Sequence, residues 1–146
     1  METQGPLEAQ KSMEATRTER TKGPFVISHI VLFTPKEGLT AGQTLLFAQQ
    51  LQLTMFSVPS VRRATVGRRV DVDSGSTRSF GDTAYQFSAV VEFDGISGLI
   101  EYLAHPLHRE LGRLFWEYCS ATAILEVDSV DAKTGAVVDL LVREQN

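Results

Sequence analysis

The sequence has a single cysteine, Cys119, so no internal disulfide forms, and no cysteine–histidine spacing resembles a structural zinc site. Both absences point to a reducing, cytoplasmic compartment and to no bound metal. Long apolar runs are missing as well. Nothing approaches the roughly 20 residues of a membrane span, and the N-terminus lacks the apolar core of a secretory signal. A soluble chain with no membrane partner is expected. Basic charge is not in excess either, with 14 Lys and Arg against 18 Asp and Glu. Nucleic acid is therefore not an expected partner, whereas a small molecule or another protein is. What is present is ordinary globular composition, 42% hydrophobic and 22% charged over 146 residues, enough for one domain with a real core.

Residues Met1 to Gly23 are almost wholly polar, with Glu2, Glu8, Glu14 and Glu19 interspersed with Lys11, Arg17, Arg20 and Lys22. The segment reads as a disordered leader. A mitochondrial transit peptide is the functional alternative, and the glutamates argue against it because such peptides are poor in acids. The folded domain is expected over residues 24–130, with a C-terminal extension over 131–146.

From Phe25 the pattern changes to a buried strand in which Phe25, Ile27, His29, Val31 and Phe33 share one face. The His29 ring thus points into the core or into a cavity within it, and a core histidine satisfied by one hydrogen bond is the plainer reading. Thr40 to Ser57 reads as a helix, with Phe47, Leu51, Met55 and Val58 at helical spacing, and Val58-Pro59-Ser60 stops it. Val61 to Val70 reads as a second strand with Ala64, Val66 and Val70 on one face. Arg62, Arg63, Arg68 and Arg69 crowd that segment. They read as solvated surface beside Asp71 and Asp73, the alternative being a phosphate or coenzyme A site.

Asp71 to Thr83 reads as an exposed connection, and Ala84 to Phe93 as a third strand with Tyr85, Phe87, Ala89, Val91 and Phe93 on its packing face. Asp94 or Ser97 is placed to cap a helix striped by Ile96, Leu99, Ile100 and Leu103. Ala121 to Val127 reads as a fourth strand ending at Asp128. Lys133-Thr134-Gly135 marks a turn before the apolar Ala136 to Val142, which extends the sheet or covers its edge.

The stretch Tyr102-Leu-Ala-His105-Pro106-Leu-His108 concentrates ionisable rings at a forced helix break. Proline pushes the preceding residue out of the α region and suits the first position of a new helix. His105 should therefore end one helix and cap the next, with His108 in the first turn. Amide hydrogens at a helix start disfavour an imidazolium, which biases His108 toward the neutral form usable as a general base. His108 borders the buried row of the new helix, and Gly112, one turn on, leaves space beside the imidazole. A pocket wall is one reason for a glycine at that helical position.

The order strand, helix, strand, strand, two short helices, strand is a split βαβ arrangement of the α+β, ferredoxin-like class. It gives a four-stranded antiparallel sheet with helices on one face and the other face bare. A bare face bearing Val and Ile calls for a homodimer, two such sheets making a dimeric barrel.

His29-Ile-Val-Leu-Phe, Val58-Pro-Ser-Val-Arg-Arg-Ala-Thr-Val-Gly67, Val91-Glu-Phe-Asp, the Tyr-x-x-His-Pro-x-His run and Val127-Asp128 occur in an order that resembles the stress-responsive dimeric α/β-barrel family. The similarity spans about Phe25 to Asp128. Within that family is a cofactor-free plant cyclase that closes a linear polyketide by intramolecular aldol condensation. The resemblance implies His108 as general base, Asp128 as the carboxylate that orients it, and Tyr102 as the hydroxyl holding the substrate carbonyl. It also implies that His29 and His105 line the substrate site, with Phe87 where the cyclase has a further histidine. The expected function is a pocket for a hydrophobic or polyketide-like molecule, with or without cyclase or lyase chemistry and with no cofactor. Two alternatives stand beside it: a ligand-binding stress homodimer whose histidines do no chemistry, and a haem-binding or monooxygenase-like barrel with a histidine on iron.

Overall fold

The structure, a computed structural model, describes residues 26–71, 85–134 and 136–142. The expected leader and most of the expected 71–83 connection lie outside the described residues. The elements in order are β1 (Val26–Pro35), α1 (Ala41–Ser57), β2 (Arg63–Arg68), β3 (Phe87–Phe93), α2 (Ile96–Ala104), α3 (Pro106–Tyr118), β4 (Cys119–Ser129) and α4 (Ala136–Val142). The strands form one antiparallel sheet in the order β2-β3-β1-β4, the split βαβ arrangement, so β1 lies between β3 and β4.

β1 alternates because one face meets helices and the other does not. Ile27, His29, Val31 and Phe33 are paired with Phe93, Val91, Ala89 and Phe87 of β3, and this whole face turns toward α1, α2 and α3. Two apolar clusters result. Toward one end of the sheet, Phe33, Phe47 and Phe115 meet edge-to-face at 4.9–5.9 Å, with Leu51, Leu111 and Leu114 packed around them. Toward the other end, Val91, Phe93, Leu99 and Tyr102 pack with Val58.

α1 starts where Thr40 Oγ1 accepts from the Gln43 amide at 3.1 Å and Gln43 Oε1 accepts from the Thr40 amide at 2.9 Å, a reciprocal capping box. Near its other end, Thr54 is 0% exposed. Its hydroxyl donates toward the Gln50 carbonyl at 2.8 Å and the Leu107 carbonyl at 3.2 Å. Leu107 lies in the first turn of α3, so this buried hydroxyl ties α1 to the turn that carries His108.

Several sequence expectations are corrected. β2 is shorter than Val61 to Val70, and only Ala64 of its expected face packs against the core. Val66 and Val70 are exposed because β2 is an edge strand beyond helix cover. The cap of α2 is Gly95, with no side-chain bond, rather than Asp94 or Ser97. The Asp94 carboxylate instead faces Arg62 at 3.5 Å. Ala136–Val142 is helical and adds no strand to the sheet. The arginine cluster is paired surface: Arg63 faces Glu92 at 3.9 Å, Arg69 faces Asp71 at 2.8 Å, and Arg68 lies over the Phe87 ring.

Thr54→Val keeps shape and removes the tie. It is expected to lower urea-unfolding stability by about 1–2 kcal/mol, because the Leu107 carbonyl loses a buried donor. Phe56→Ala, at a side chain 90% exposed, should change the unfolding free energy by no more than about 0.5 kcal/mol.

Candidate functional site

The break between α2 and α3 fixes the site. His105 has extended backbone (φ −68°, ψ 138°) and its Nδ1 accepts from the Leu107 amide at 3.1 Å, so its side chain is the N-cap of α3, with Pro106 in the first turn. His108, half-buried in that first turn, donates from Nδ1 to the Leu103 carbonyl of α2 at 3.2 Å. A carbonyl oxygen only accepts, so His108 Nδ1 carries the proton and Nε2 keeps its lone pair.

Three rings converge there. The His108 centroid lies 4.6 Å from Tyr102 and 6.1 Å from His29, and His29 lies 5.7 Å from Tyr102. Tyr102 is 1% exposed and His29 3%. His29 Nδ1 donates to the Glu126 carboxylate of β4 at 3.0 Å, across the His29–Glu126 register pair. Burial holds the His108 imidazole below the ordinary histidine value, and a charge on His29 pushes it the same way, against a weaker opposite pull from the Leu103 carbonyl. Burial also drives the Tyr102 phenol well above its usual value, so it is a hydrogen-bond donor throughout the physiological range.

These rings line one end of a cavity of about 670 Å³ between the sheet and the helices. Its walls are mainly apolar, including Val31, Leu51, Met55, Ala89, Leu111 and Phe115. Gly112 is on the wall, and a Cβ built there meets nothing within 4 Å, so the glycine does leave space one turn from His108.

Of the residues singled out in the sequence, His29, Tyr102 and His108 are brought together, and three others are not brought to the cavity wall. His105 is consumed as the helix cap. Phe87 stacks on Phe33 at 5.5 Å, toward the opposite end of the sheet. Asp128 is exposed, opposite Ile27, and the proton of His108 Nδ1 goes to Leu103 rather than to a carboxylate. The carboxylate that touches a site ring is Glu126, on His29, and sequence reasoning missed it. Its only signal was parity: Glu126 and Asp128 share a strand face, and the register decides between them. The low His108 basicity was expected from the helix start, whereas burial is its first cause. Among the described residues, no group of three or more His, Cys, Asp or Glu is placed to hold a metal ion, and no helix is long and apolar enough to cross a membrane.

No curated protein matches the chain. Among solved structures, a hydroxynitrile lyase from Passiflora edulis is similar, with 14% identity, a TM-score of 0.61, and 76% of this chain and 98% of that one covered. A dimeric ferredoxin-like protein of unknown function from Thermobifida fusca is 21% identical, with a TM-score of 0.56 over 72% of this chain and 92% of that one. A Dabb family protein with a ferredoxin-like fold from Mesorhizobium loti is 21% identical, with a TM-score of 0.54 over 73% and 97%. At such identities these likenesses speak to the fold, which they place in the ferredoxin-like class. The sequence itself matches the stress-responsive A/B barrel domain over residues 27–130, most of its length. The chain therefore belongs to the stress-responsive A/B barrel domain (Dabb) family.

Proposed function

We propose that the cavity binds an apolar, polyketide-like small molecule and that His108 acts on it as a general base, without a cofactor. The observation that carries this is the neutral His108, its Nε2 lone pair unoccupied, set against the Tyr102 and His29 rings at the end of an apolar cavity. Nε2 takes a proton from a carbon beside a carbonyl, and the Tyr102 hydroxyl donates to the oxygen on which charge develops. The carbanion attacks a second carbonyl of the same folded molecule, forming a carbon–carbon bond, and the His108 proton returns to the new alkoxide. Glu126 holds the His29 ring in place beside the reacting pair, and the apolar walls exclude water. The hydroxynitrile lyase among the similar structures supports the fold as a host for lyase chemistry.

With a linear polyketide acid as substrate, His108→Gln is expected to lower turnover by roughly 10²–10⁴-fold while leaving the circular dichroism spectrum unchanged. Unchanged turnover in that variant, or none in the parent chain, leaves a ligand-binding protein whose histidines do no chemistry.

The pH response follows from the lowered His108 value. The unfolded chain takes up a proton near the ordinary value of about 6.5 and the folded chain only at lower pH. The contribution of this group to stability is thus whole above about 6.5 and is lost as pH falls below it. Unfolding midpoints across that window should fall less in His108→Gln than in the parent. Turnover should persist somewhat below pH 6.5 and then drop on an acid limb.

Gly112→Ala separates packing from binding. The alanine should stabilise α3 by up to about 1 kcal/mol, since its methyl meets no neighbour, and should weaken ligand binding by narrowing the cavity. A higher Tm with unchanged ligand affinity would remove Gly112 from the binding wall.

A homodimer through the uncovered sheet face is the companion reading. Val90, Ile30 and Leu125 lie side by side across β3, β1 and β4 on the face away from the helices, with Leu32 and Leu125 exposed. Solved relatives described as dimeric support it. In sedimentation, Leu125→Lys is expected to shift the chain toward monomer, and an unaltered dimer would refute this interface.

A further inference from the structure

The cavity has a second end, and it is charged. Among the described residues on the walls, Lys36 is the only lysine, and no arginine, aspartate or glutamate joins it. Its ammonium pairs with no carboxylate among the described residues, and the residue is exposed. Its backbone is fixed, because the Lys36 amide donates to the Tyr118 carbonyl at 2.7 Å across the β1–β4 corner. Lys36 shares the cavity wall with the buried Cys119. Trp116, 89% exposed, stands at the same cavity.

Lys36 follows β1 directly, and His29 lies within that strand. Seven residues of extended chain put their backbones roughly 20 Å apart. Between them the walls are Val31, Ala89, Leu51 and Phe115. An apolar channel with the His29, Tyr102 and His108 rings at one end and one unpaired cation at the other selects a molecule of matching polarity. One ammonium, with no arginine beside it on the wall, suits a singly charged carboxylate better than a phosphate or coenzyme A, which call for several donors.

We propose that the physiological ligand is an elongated amphipathic monocarboxylic acid, its carboxylate held by Lys36 and its opposite end delivered to His29, Tyr102 and His108. The inference rests on the cavity being the binding site proposed above, and it names the class of molecule that the site takes. Trp116, the sole tryptophan, reports occupancy by its fluorescence.

The test titrates the full chain with decanoate and with 1-decanol, both below their aggregation limits. Decanoate is expected to bind about tenfold tighter than the alcohol, as suits one partly solvated charge-assisted contact. Lys36→Met should abolish that preference by weakening decanoate alone, and Lys36→Glu should reverse it. Across acids of increasing length, each added methylene should tighten binding by up to about fourfold until the channel is filled. Equal binding of acid and alcohol by the parent, a preference that survives Lys36→Met, or no binding of either probe overturns the inference. Its fate is separable from that of the base. Equal binding in a chain whose turnover needs His108 removes the acid and leaves the chemistry, whereas a tenfold preference in a chain whose turnover survives His108→Gln does the opposite.

Discussion

The site depends on the interruption of one helix by Pro106. In a continuous helix, Tyr102 and His108 would be six residues apart and their side chains would diverge by about 120° around the axis. The break at His105 turns the second segment so that the two rings approach to 4.6 Å. Each loose end is then tied. The His105 side chain satisfies an amide at the start of α3, and His108 itself satisfies a carbonyl near the end of α2. The proton that stitches the two helices together is the one that fixes the His108 tautomer, so the helix junction and the orientation of this ring share one hydrogen bond.

Much of this was legible in the sequence, because proline geometry is local. The restrictions on residues 105 and 106 do not depend on the remainder of the chain, and the helix break, its cap and the position of His108 follow from them. Alternation along β1 likewise told which face His29 occupies. Register was not legible. A slip of two residues between β1 and β4 keeps every side chain on its own face and would put Asp128, instead of Glu126, opposite His29. The family resemblance pointed to Asp128 as the orienting acid, and only the strand pairing brings Glu126 to the ring.

Other departures have the same character. Val66 looked like core by pattern, yet β2 is an edge strand and Val66 is exposed on it. Phe87 sat at the position of a site residue in the resemblance, yet its ring is committed to Phe33 and to the aromatic cluster away from the histidines. Asp94 had the chemistry of a cap, and Arg62 drew its carboxylate elsewhere. Each miss is a competition between partners that linear sequence does not rank. The low basicity of His108 is a related case: the helix start gave the right direction, and burial is the larger cause.

The pairing of His29 with Glu126 joins an interior strand to an edge strand. β1 is clamped on both sides, while β4 has a neighbour on one side only, and edge pairings open at lower free-energy cost than interior ones. Fraying of β4 would withdraw the carboxylate from the imidazole while leaving the imidazole where it is. A mechanical event at the rim of the sheet thereby loosens a ring in the cavity, and whatever steadies that rim also steadies the ring.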